Sequence, residues 1–525
     1  MLLLEVFDLE KMYGDRKLFS VQHLAVYDGD RIGVVGVNGA GKTTLFNIMF
    51  GADHDYKGQI MSHAKGAMVK QLDERDADYL SGGEKTRLKI DHAFQQKAKV
   101  LFADEPTSHL DLPGIEMVEE RLQNYPGAVL VISHDRELLN KICTSIWEVE
   151  EGHIHIFKGN YDDYQAQKQR IFERAEFEYE QYVKEKTRLK ATIQERRERT
   201  GRMNRPPSRM GRSESALHKG KASGKIARIN RSIKVVEKRI EQIEEKEKPK
   251  APEKVVFDTQ AFDPIHSKTA IRFDGVEKSF ADRQLFQPFS ATVKPGDKLG
   301  IIGPNGCGKS TLLKMILKGE KGIEISQAAK IGYYAQDLSI LDESKSLYEN
   351  VIEKTPFQEP FVRLTLARLL FKGEEVHKPV RALSGGERVK AALAKIFLGK
   401  YNLLLLDEPT NYLDLFTKDA LEEILRAYPG TMIFATHDRG LLNRLVDSVL
   451  VFHDQKVIPY RGTYREFLQK TQAPRRDIDR ENRLKTLQLE ITTILGQLSL
   501  EPDENEKQKL EARFEQLLKE KKTLE

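Results

Sequence analysis

Short apolar runs, bounded by glycine or by charge, recur along the chain. Four of them are continuous rather than alternating: Ile32-Gly33-Val34-Val35, Val129-Leu130-Val131-Ile132, Leu403 to Leu406 and Met432 to Ala435. A strand covered on both faces carries apolar side chains at successive positions, so these runs predict buried parallel strands and an α/β fold. The opening Met1-Leu2-Leu3-Leu4-Glu5-Val6 reads as a first strand, too short and too soon charged for a signal peptide. No apolar run approaches the ~20 residues that cross a bilayer.

A second rhythm lies between the two strand-rich regions. Ile226, Ile229, Ile233, Val236, Ile240 and Ile243 are spaced 3, 4, 3, 4, 3, a heptad seam. Upstream, Phe172, Ala175, Tyr179, Tyr182, Leu189 and Ile193 keep the same beat, interrupted by Lys186. Gly201, Pro206-Pro207, Gly211, Gly220 and Gly224 predict breaks between the seams. The expected structure is an antiparallel helical hairpin with an irregular tip. Its first helix, about 40 residues, would reach ~60 Å. The stripe Leu484, Leu487, Ile491, Ile494, Leu498, a turn at Leu500 to Asp503 and a helix from Leu510 to Leu524 predict a C-terminal helical pair. That pair is either a solvated extension packed on the preceding domain or a contact for a partner.

The length of 525 residues fits two to four domains at ~150 residues each. Two cysteines, Cys143 and Cys307, exclude a disulfide framework and point to a reducing compartment. Cys143 is expected in a core. The net charge of +5 is modest, so its distribution matters more. Residues 161–250 hold 25 Lys and Arg against 15 Asp and Glu. From Thr200 to Lys234 the count is 10 against one. Such a run is by itself often a solvated linker. Its concentration at the break of a long hairpin favours nucleic acid, with Arg202, Arg205, Arg209, Arg212 and Lys219 on phosphates. Met203, Met210 and Leu217 would supply apolar contacts at the tip.

The candidate chemistry is duplicated. Gly36-Val37-Asn38-Gly39-Ala40-Gly41-Lys42-Thr43-Thr44 and Gly303-Pro304-Asn305-Gly306-Cys307-Gly308-Lys309-Ser310-Thr311 are phosphate-binding loops. Glycines let backbone N–H groups approach phosphate oxygens, and the following helix adds its dipole. Lys42 and Lys309 would bridge the β- and γ-phosphates of ATP, and Thr43 and Ser310 would offer hydroxyls to Mg²⁺. Asp104 and Asp407, at strand ends, would hold the metal. Glu105 and Glu408 would polarise the attacking water, and His134 and His437 would contact the γ-phosphate. Each copy also has a Gln and a Leu-Ser-Gly-Gly-Glu. Signature Ser to Glu is 24 residues in both copies and Glu to His is 29 in both. Gln to signature Ser is 10 residues in copy one (Gln71 to Ser81) and 48 in copy two (Gln336 to Ser384).

These residues closely resemble the ABC ATPase family. The resemblance implies two ABC-type P-loop domains in tandem, with each signature acting in trans. Lys42, Asp104 and Glu105 would work with Ser384, Gly385 and Gly386; Lys309, Asp407 and Glu408 with Ser81, Gly82 and Gly83. It further implies that Tyr13 and Phe280 stack on adenine, and that Gln71 and Gln336 sense metal and water. Ser108 departs from Asn411, its counterpart before Leu413-Asp414.

A hairpin between two complete cassettes resembles the ABC-F family of ribosome-binding factors. Expected domains are 1–160 and 269–469 for the ATPases, 161–268 for the hairpin with its tip about 200–224, and 470–525 for the extension. The short gap in copy one, the hairpin and the extension together resemble the Vga-type antibiotic-resistance members. That resemblance implies a monomeric, cytoplasmic ATPase with no membrane partner. It would bind the exit site of the bacterial ribosome when ATP-closed and contact large-subunit RNA and peptidyl-site tRNA. Lincosamides, pleuromutilins and streptogramin A would be displaced. The alternatives are a housekeeping ABC-F translation factor and, more distantly, a transporter's ATPase subunit.

Overall fold

The computed structural model describes residues 1–70, 82–108, 110–203, 212–249, 262–280, 283–335, 338, 340–353, 355–371 and 373–472, with six isolated positions beyond. They group into two compact units. One comprises Met1–Ala261, Leu338–Gly399 and Thr410–Tyr428; the other comprises Phe262–Asp337, Lys400–Pro409 and Pro429–Glu525.

The first unit is built on a nine-stranded sheet. Its strands are β1 (Leu2–Tyr13), β2 (Arg16–Tyr27), β3 (Arg31–Gly36), β4 (Lys57–Ser62), β5 (Gly66–Val69), β6 (Val100–Asp104), β7 (Ala128–Ile132), β8 (Ser145–Glu150) and β9 (His153–Lys158). Their order is β4-β1-β2-β9-β8-β3-β7-β6-β5, and the run from β8 to β5 is parallel. The apolar runs at 32–35 and 129–132 lie in β3 and β7. In β7, Val129 and Val131 face one core cluster while Leu130 and Ile132 face the other. Helix α1 (Lys42–Phe50) covers the second face. Helices α2 (Gly82–Gln95), α3 (Leu112–Gln123) and α4 (Arg136–Ile142) cover the first. Two-sided cover is why these strands read as unbroken hydrophobic sequence.

The expected hairpin follows. Helix α5 (Tyr161–Met203) is 43 residues long and α6 (Arg212–Gln242) is 31. Leu189, Ile193 and Ile233 are buried at the seam, whereas Val235, off the seam, is 68% exposed. Arg197 pairs with Glu237 at 2.9 Å, and Arg196 Nη1 donates to Ser232 O at 3.1 Å. Lys186, which interrupts the seam, lies over the Tyr182 ring at 4.9 Å. One expectation needs correcting. Gly201 lies inside α5, and Gly220 and Gly224 lie inside α6. A helical glycine costs about 1 kcal/mol against alanine, too little to interrupt helices of 43 and 31 residues. Tyr164 donates to Glu148 at 2.6 Å and Lys168 pairs with the same carboxylate at 2.9 Å, which ties the root of α5 to β8.

The second unit repeats the plan. It contains β10 (Ile271–Phe280), β11 (Arg283–Val293), β12 (Lys298–Ile302), α7 (Lys309–Lys318), β13 (Ile323–Ile325), β14 (Ile331–Tyr334), β15 (Leu403–Asp407), β16 (Thr431–Ala435), β17 (Ser448–His453) and β18 (Lys456–Arg461). The order β14-β15-β16-β12-β17-β18 mirrors β5-β6-β7-β3-β8-β9. The expected runs at 403–406 and 432–435 are β15 and β16. Helix Tyr464–Gln472 ends the continuously described chain. The stripe and turn expected at 484–503 and most of the helix at 510–524 lie outside the described residues.

The later segments of the first unit contribute α8 (Leu347–Ile352), α9 (Glu359–Arg368), α10 (Gly385–Phe397) and α11 (Leu415–Ala427). Ser346 and Ser384 begin α8 and α10 with reciprocal Ser–Glu capping.

Candidate nucleotide sites

Each phosphate loop leaves a buried strand and turns into a helix. In the first, Gly36 ends β3, and Val37, Asn38, Gly39, Ala40 and Gly41 lead to Lys42, Thr43 and Thr44 at the start of α1. Gly41 has φ 99°, and a β-carbon there would stand 2.8 Å from Leu18 Cδ2. Gly308 has φ 112° and the same conflict with Leu285 Cδ2 at 2.7 Å. Only glycine fits both turns. In the second loop, Gly303, Pro304, Asn305, Gly306 and Cys307 lead to Lys309, Ser310 and Thr311 on α7.

The lysines curl back over their own loops. Lys42 Nζ donates to Gly36 O at 2.8 Å and Val37 O at 3.1 Å. Lys309 Nζ donates to Gly303 O at 2.9 Å and Pro304 O at 3.0 Å. Ser310 Oγ donates to Asp407 Oδ1 at 2.9 Å, and Thr43 hydrogen-bonds Asp104 in the same way. Burial pushes both aspartates above the usual carboxylate range, against the pull of those hydroxyls.

Glu105 and Glu408 stand one residue beyond β6 and β15. Both have left-handed backbones, φ 49° and 51°. Their N–H groups donate to Ile132 O at 2.9 Å and Ala435 O at 2.8 Å. A left-handed non-glycine residue costs of order 1–3 kcal/mol and persists only where its surroundings enforce it. Here the neighbouring strand does so, aiming each carboxylate at a histidine. Glu105 Oε1 lies 3.3 Å from His134 Nε2, and Glu408 Oε1 lies 3.6 Å from His437 Nε2. Burial pushes both glutamates up to about 7. Burial pulls His134 well below the usual imidazole range, so its ring is neutral. His437 Nε2 also meets Lys309 Nζ and Asn305 Oδ1, each at 3.0 Å.

The copy-two signature and the copy-one phosphate loop belong to the same compact unit. Ser384 caps α10, with its N–H and Oγ donating to Glu387 Oε2 at 2.7 and 2.6 Å. Gly385 and Gly386 open the helix. A β-carbon on Gly386 would stand 3.5 Å from Asn38 Nδ2. Asn38 N–H donates to Asp414 Oδ2 at 3.0 Å, and its side chain donates to Tyr412 O at 3.3 Å. Tyr13 and Phe280 end equivalent strands, β1 and β10, and are 80% and 57% exposed.

Not every candidate can be placed. Gln71, Ser81, Gln336, Arg205, Arg209 and Met210 lie outside the described residues. Gly82 and Gly83 open α2; Arg202 and Met203 end α5; Arg212, Leu217 and Lys219 lie on α6. Two residues near the first site, Asp414 and Lys418, were not among the candidate site residues, and Arg136 entered only as part of a His-Asp-Arg motif. Asp414 caps α11 while accepting from Asn38; its counterpart Asp111 was the available signal. Lys418 donates to His134 O at 3.1 Å, and Arg136 pairs with Asp419 and Glu422. For Lys418 the repeat gave no signal, because Ile115 holds the aligned position.

Comparison with known proteins fits this architecture. The ABC transporter family profile matches residues 20–77 and 286–411. Ribosome protection protein VmlR of Bacillus subtilis is 32% identical over 97% of this chain and 96% of its own length. The chain belongs to the ABC-F family. The erythromycin resistance ATP-binding protein MsrA of Staphylococcus epidermidis is 32% identical over 83% of this chain and 94% of its own. The solved structure of RNase-L Inhibitor shares the fold, with a TM-score of 0.61 at 19% identity over 88% of this chain and 92% of that one. As a member of this family the ABC-F chain binds ATP and is an ATPase. Among the described residues, no helix is long and apolar enough to cross a membrane.

Proposed function

We propose that this ABC-F protein protects bacterial ribosomes from antibiotics in a cycle gated by ATP. Similarity to VmlR across nearly the full length of both chains carries this reading. The long basic hairpin between the cassettes supports it.

At each site the loop amides and helix dipole hold the phosphates, and Lys42 or Lys309 leaves its loop carbonyls to neutralise them. Tyr13 and Phe280 offer exposed rings to adenine. A hydroxyl and a carboxylate, already paired, suit Mg²⁺, which keeps few protein ligands and takes the rest from phosphates and water. Thr43 with Asp104 and Ser310 with Asp407 would hold it, and bound metal would neutralise phosphate charge. Glu105 and Glu408 accept the proton of the attacking water, a task suited to carboxyls titrating near 7. His134 and His437 orient that water. Ser384, Gly385 and Gly386 complete the first site from copy two, while Ser81, Gly82 and Gly83 complete the second.

In the ATP-closed state the protein, acting as a cytoplasmic monomer, occupies the ribosomal exit site. The hairpin, residues 161–268, extends past peptidyl-site tRNA toward the peptidyl-transferase centre. Arg202, Arg205, Arg209, Arg212 and Lys219 contact phosphates, and Met203, Met210 and Leu217 lie at the tip. Lincosamides, pleuromutilins and streptogramin A leave as that region rearranges, and hydrolysis releases the factor. Only 10 residues separate Gln71 from Ser81, which leaves no room for an added arm in copy one.

A susceptibility panel in a drug-sensitive bacterium tests this. The wild type is expected to raise inhibitory concentrations for the three classes, and the Glu105→Gln, Glu408→Gln variant to abolish the rise. Met203→Ala or Leu217→Ala is expected to alter the drug profile while ATPase turnover stays within about twofold. Unchanged concentrations with the wild type would point to a housekeeping translation factor.

A further inference from the structure

Helix α11 belongs to copy two in sequence but packs within the first unit, beside the copy-one catalytic segment. One side of it carries the half-buried Lys418 and Asp419 and the buried Glu422. Lys418 Nζ donates to the backbone carbonyl of His134 at 3.1 Å. Arg136, two residues further on, is held by Asp419 and by Glu422, the latter at 3.2 Å. The segment His134-Asp135-Arg136 is thus gripped at both ends by one helix. Asp414 caps the same helix and accepts from Asn38 of the phosphate loop. A single rigid element therefore touches the loop that binds phosphate and the histidine that faces Glu105.

The repeat lacks one component of this grip. At the positions aligned with Lys418 and Glu422, α3 has Ile115 and Glu119. Ile115 is 5% exposed and packed in the core, and Glu119 is paired with Lys141 at 2.9 Å. Ile115 carries no charge, so α3 and α11 differ by one cation at this aligned position.

We propose that Lys418 is a positioning residue for hydrolysis at the first site, holding the His134 carbonyl so that the imidazole keeps its place opposite Glu105. The two copies are therefore unequal at this position, Lys418 against Ile115. The inference rests on Glu105 being the water-activating residue. The charged and titratable groups around Glu105 are Asp104 on β6, Lys42 on α1, His134 after β7 and Lys418 on α11. Lys42 and Asp104 have counterparts, Lys309 and Asp407, at the second site, but Lys418 has none.

The test is steady-state ATP hydrolysis by full-length Lys418→Met and Lys418→Arg proteins. Removing a positioning contact lowers kcat without touching ground-state binding, so Lys418→Met is expected to lose about tenfold in kcat with KM within twofold. Lys418→Arg, which keeps a cationic donor, is expected to recover to within about threefold of wild type. Amide exchange of the two proteins is expected to quicken at 133–137 and stay unchanged at 436–440. An unchanged kcat overturns the proposal. So does a loss that arginine leaves unrepaired, or exchange that quickens equally in both segments, since each marks a general packing defect. Glu105→Gln is measured alongside. If it leaves turnover intact, the assignment of Glu105 fails, whatever Lys418 does.

Discussion

The two catalytic sites of this ABC-F protein share their chemistry and differ in their surroundings. Both place a left-handed glutamate after a buried strand, a neighbouring histidine and a hydroxyl bonded to an aspartate. They differ in what else reaches the histidine. His134 is gripped through its backbone by Lys418. The His437 ring meets Lys309 and Asn305 at 3.0 Å each, and its N–H donates to Glu408 Oε2 at 3.3 Å. Duplication keeps what the reaction requires of each cassette. The residues around that shared set are free to diverge.

The largest effect is expected from removing both glutamates. Glu105→Gln with Glu408→Gln is expected to lower turnover by 10²–10⁴-fold, the usual loss for a general base. The single variants then separate the sites: equal residual rates would deny that the difference in surroundings matters. Asp414→Ala comes next. It removes a helix cap and the acceptor for Asn38 N–H, and is expected to cost about 1–2 kcal/mol of stability. It is also expected to lower turnover more than Asp111→Ala, which uncaps α3, where Asp111 accepts from Gly114 N–H. Denaturant melts and ATPase rates read the two effects.

A subtler effect follows from burial. Glu105 and Glu408 titrate near 7 in the folded protein, above the ~4.3 of a free glutamate. The folded protein therefore binds more protons than the unfolded chain between these values, and stability falls as pH rises through that window. Glutamine has no charge to bury. Either Glu→Gln change is expected to raise the melting temperature of the nucleotide-free protein at pH 8 and to have no such benefit at pH 4. A rise of equal size at both pH values would contradict the burial argument. The smallest effect concerns the thiols. Burial pushes Cys143 up to about 12, so maleimide at pH 7.5 is expected to leave it unmodified. Cys307, half-buried in the second phosphate loop, is expected to label slowly and to be shielded by ATP. Copy one has Ala40 there, so labelling marks the second site alone.

Much of this was legible in sequence because it is local or periodic. The runs at 32–35 and 129–132 are β3 and β7 because a strand covered on both faces must be apolar throughout. The 3-4 spacing from Ile226 to Ile243 marks a seam that runs along α6 and ends one residue past it, and all six positions are shielded in part or whole. The glycines misled: Gly220 and Gly224 sit inside α6 because a helix of that length absorbs their modest cost. The left-handed backbone of Glu105 has no local signature, since a neighbouring strand 27 residues away enforces it through Ile132 O. The pairing of Asn38 with Asp414 joins residues 376 apart. Lys418 was invisible for a third reason. The repeat exposes what is duplicated, and Lys418 matters because it is not.

ATP binding is expected to fasten this ABC-F protein to the ribosome, and hydrolysis to free it. Sedimentation of the Glu105→Gln, Glu408→Gln protein with bacterial ribosomes tests it most directly. With ATP, the account expects the double variant to accumulate in the ribosomal pellet well beyond the wild type, and with ADP neither protein to do so. A double variant that stays in the supernatant with ATP, while still binding nucleotide, would contradict it.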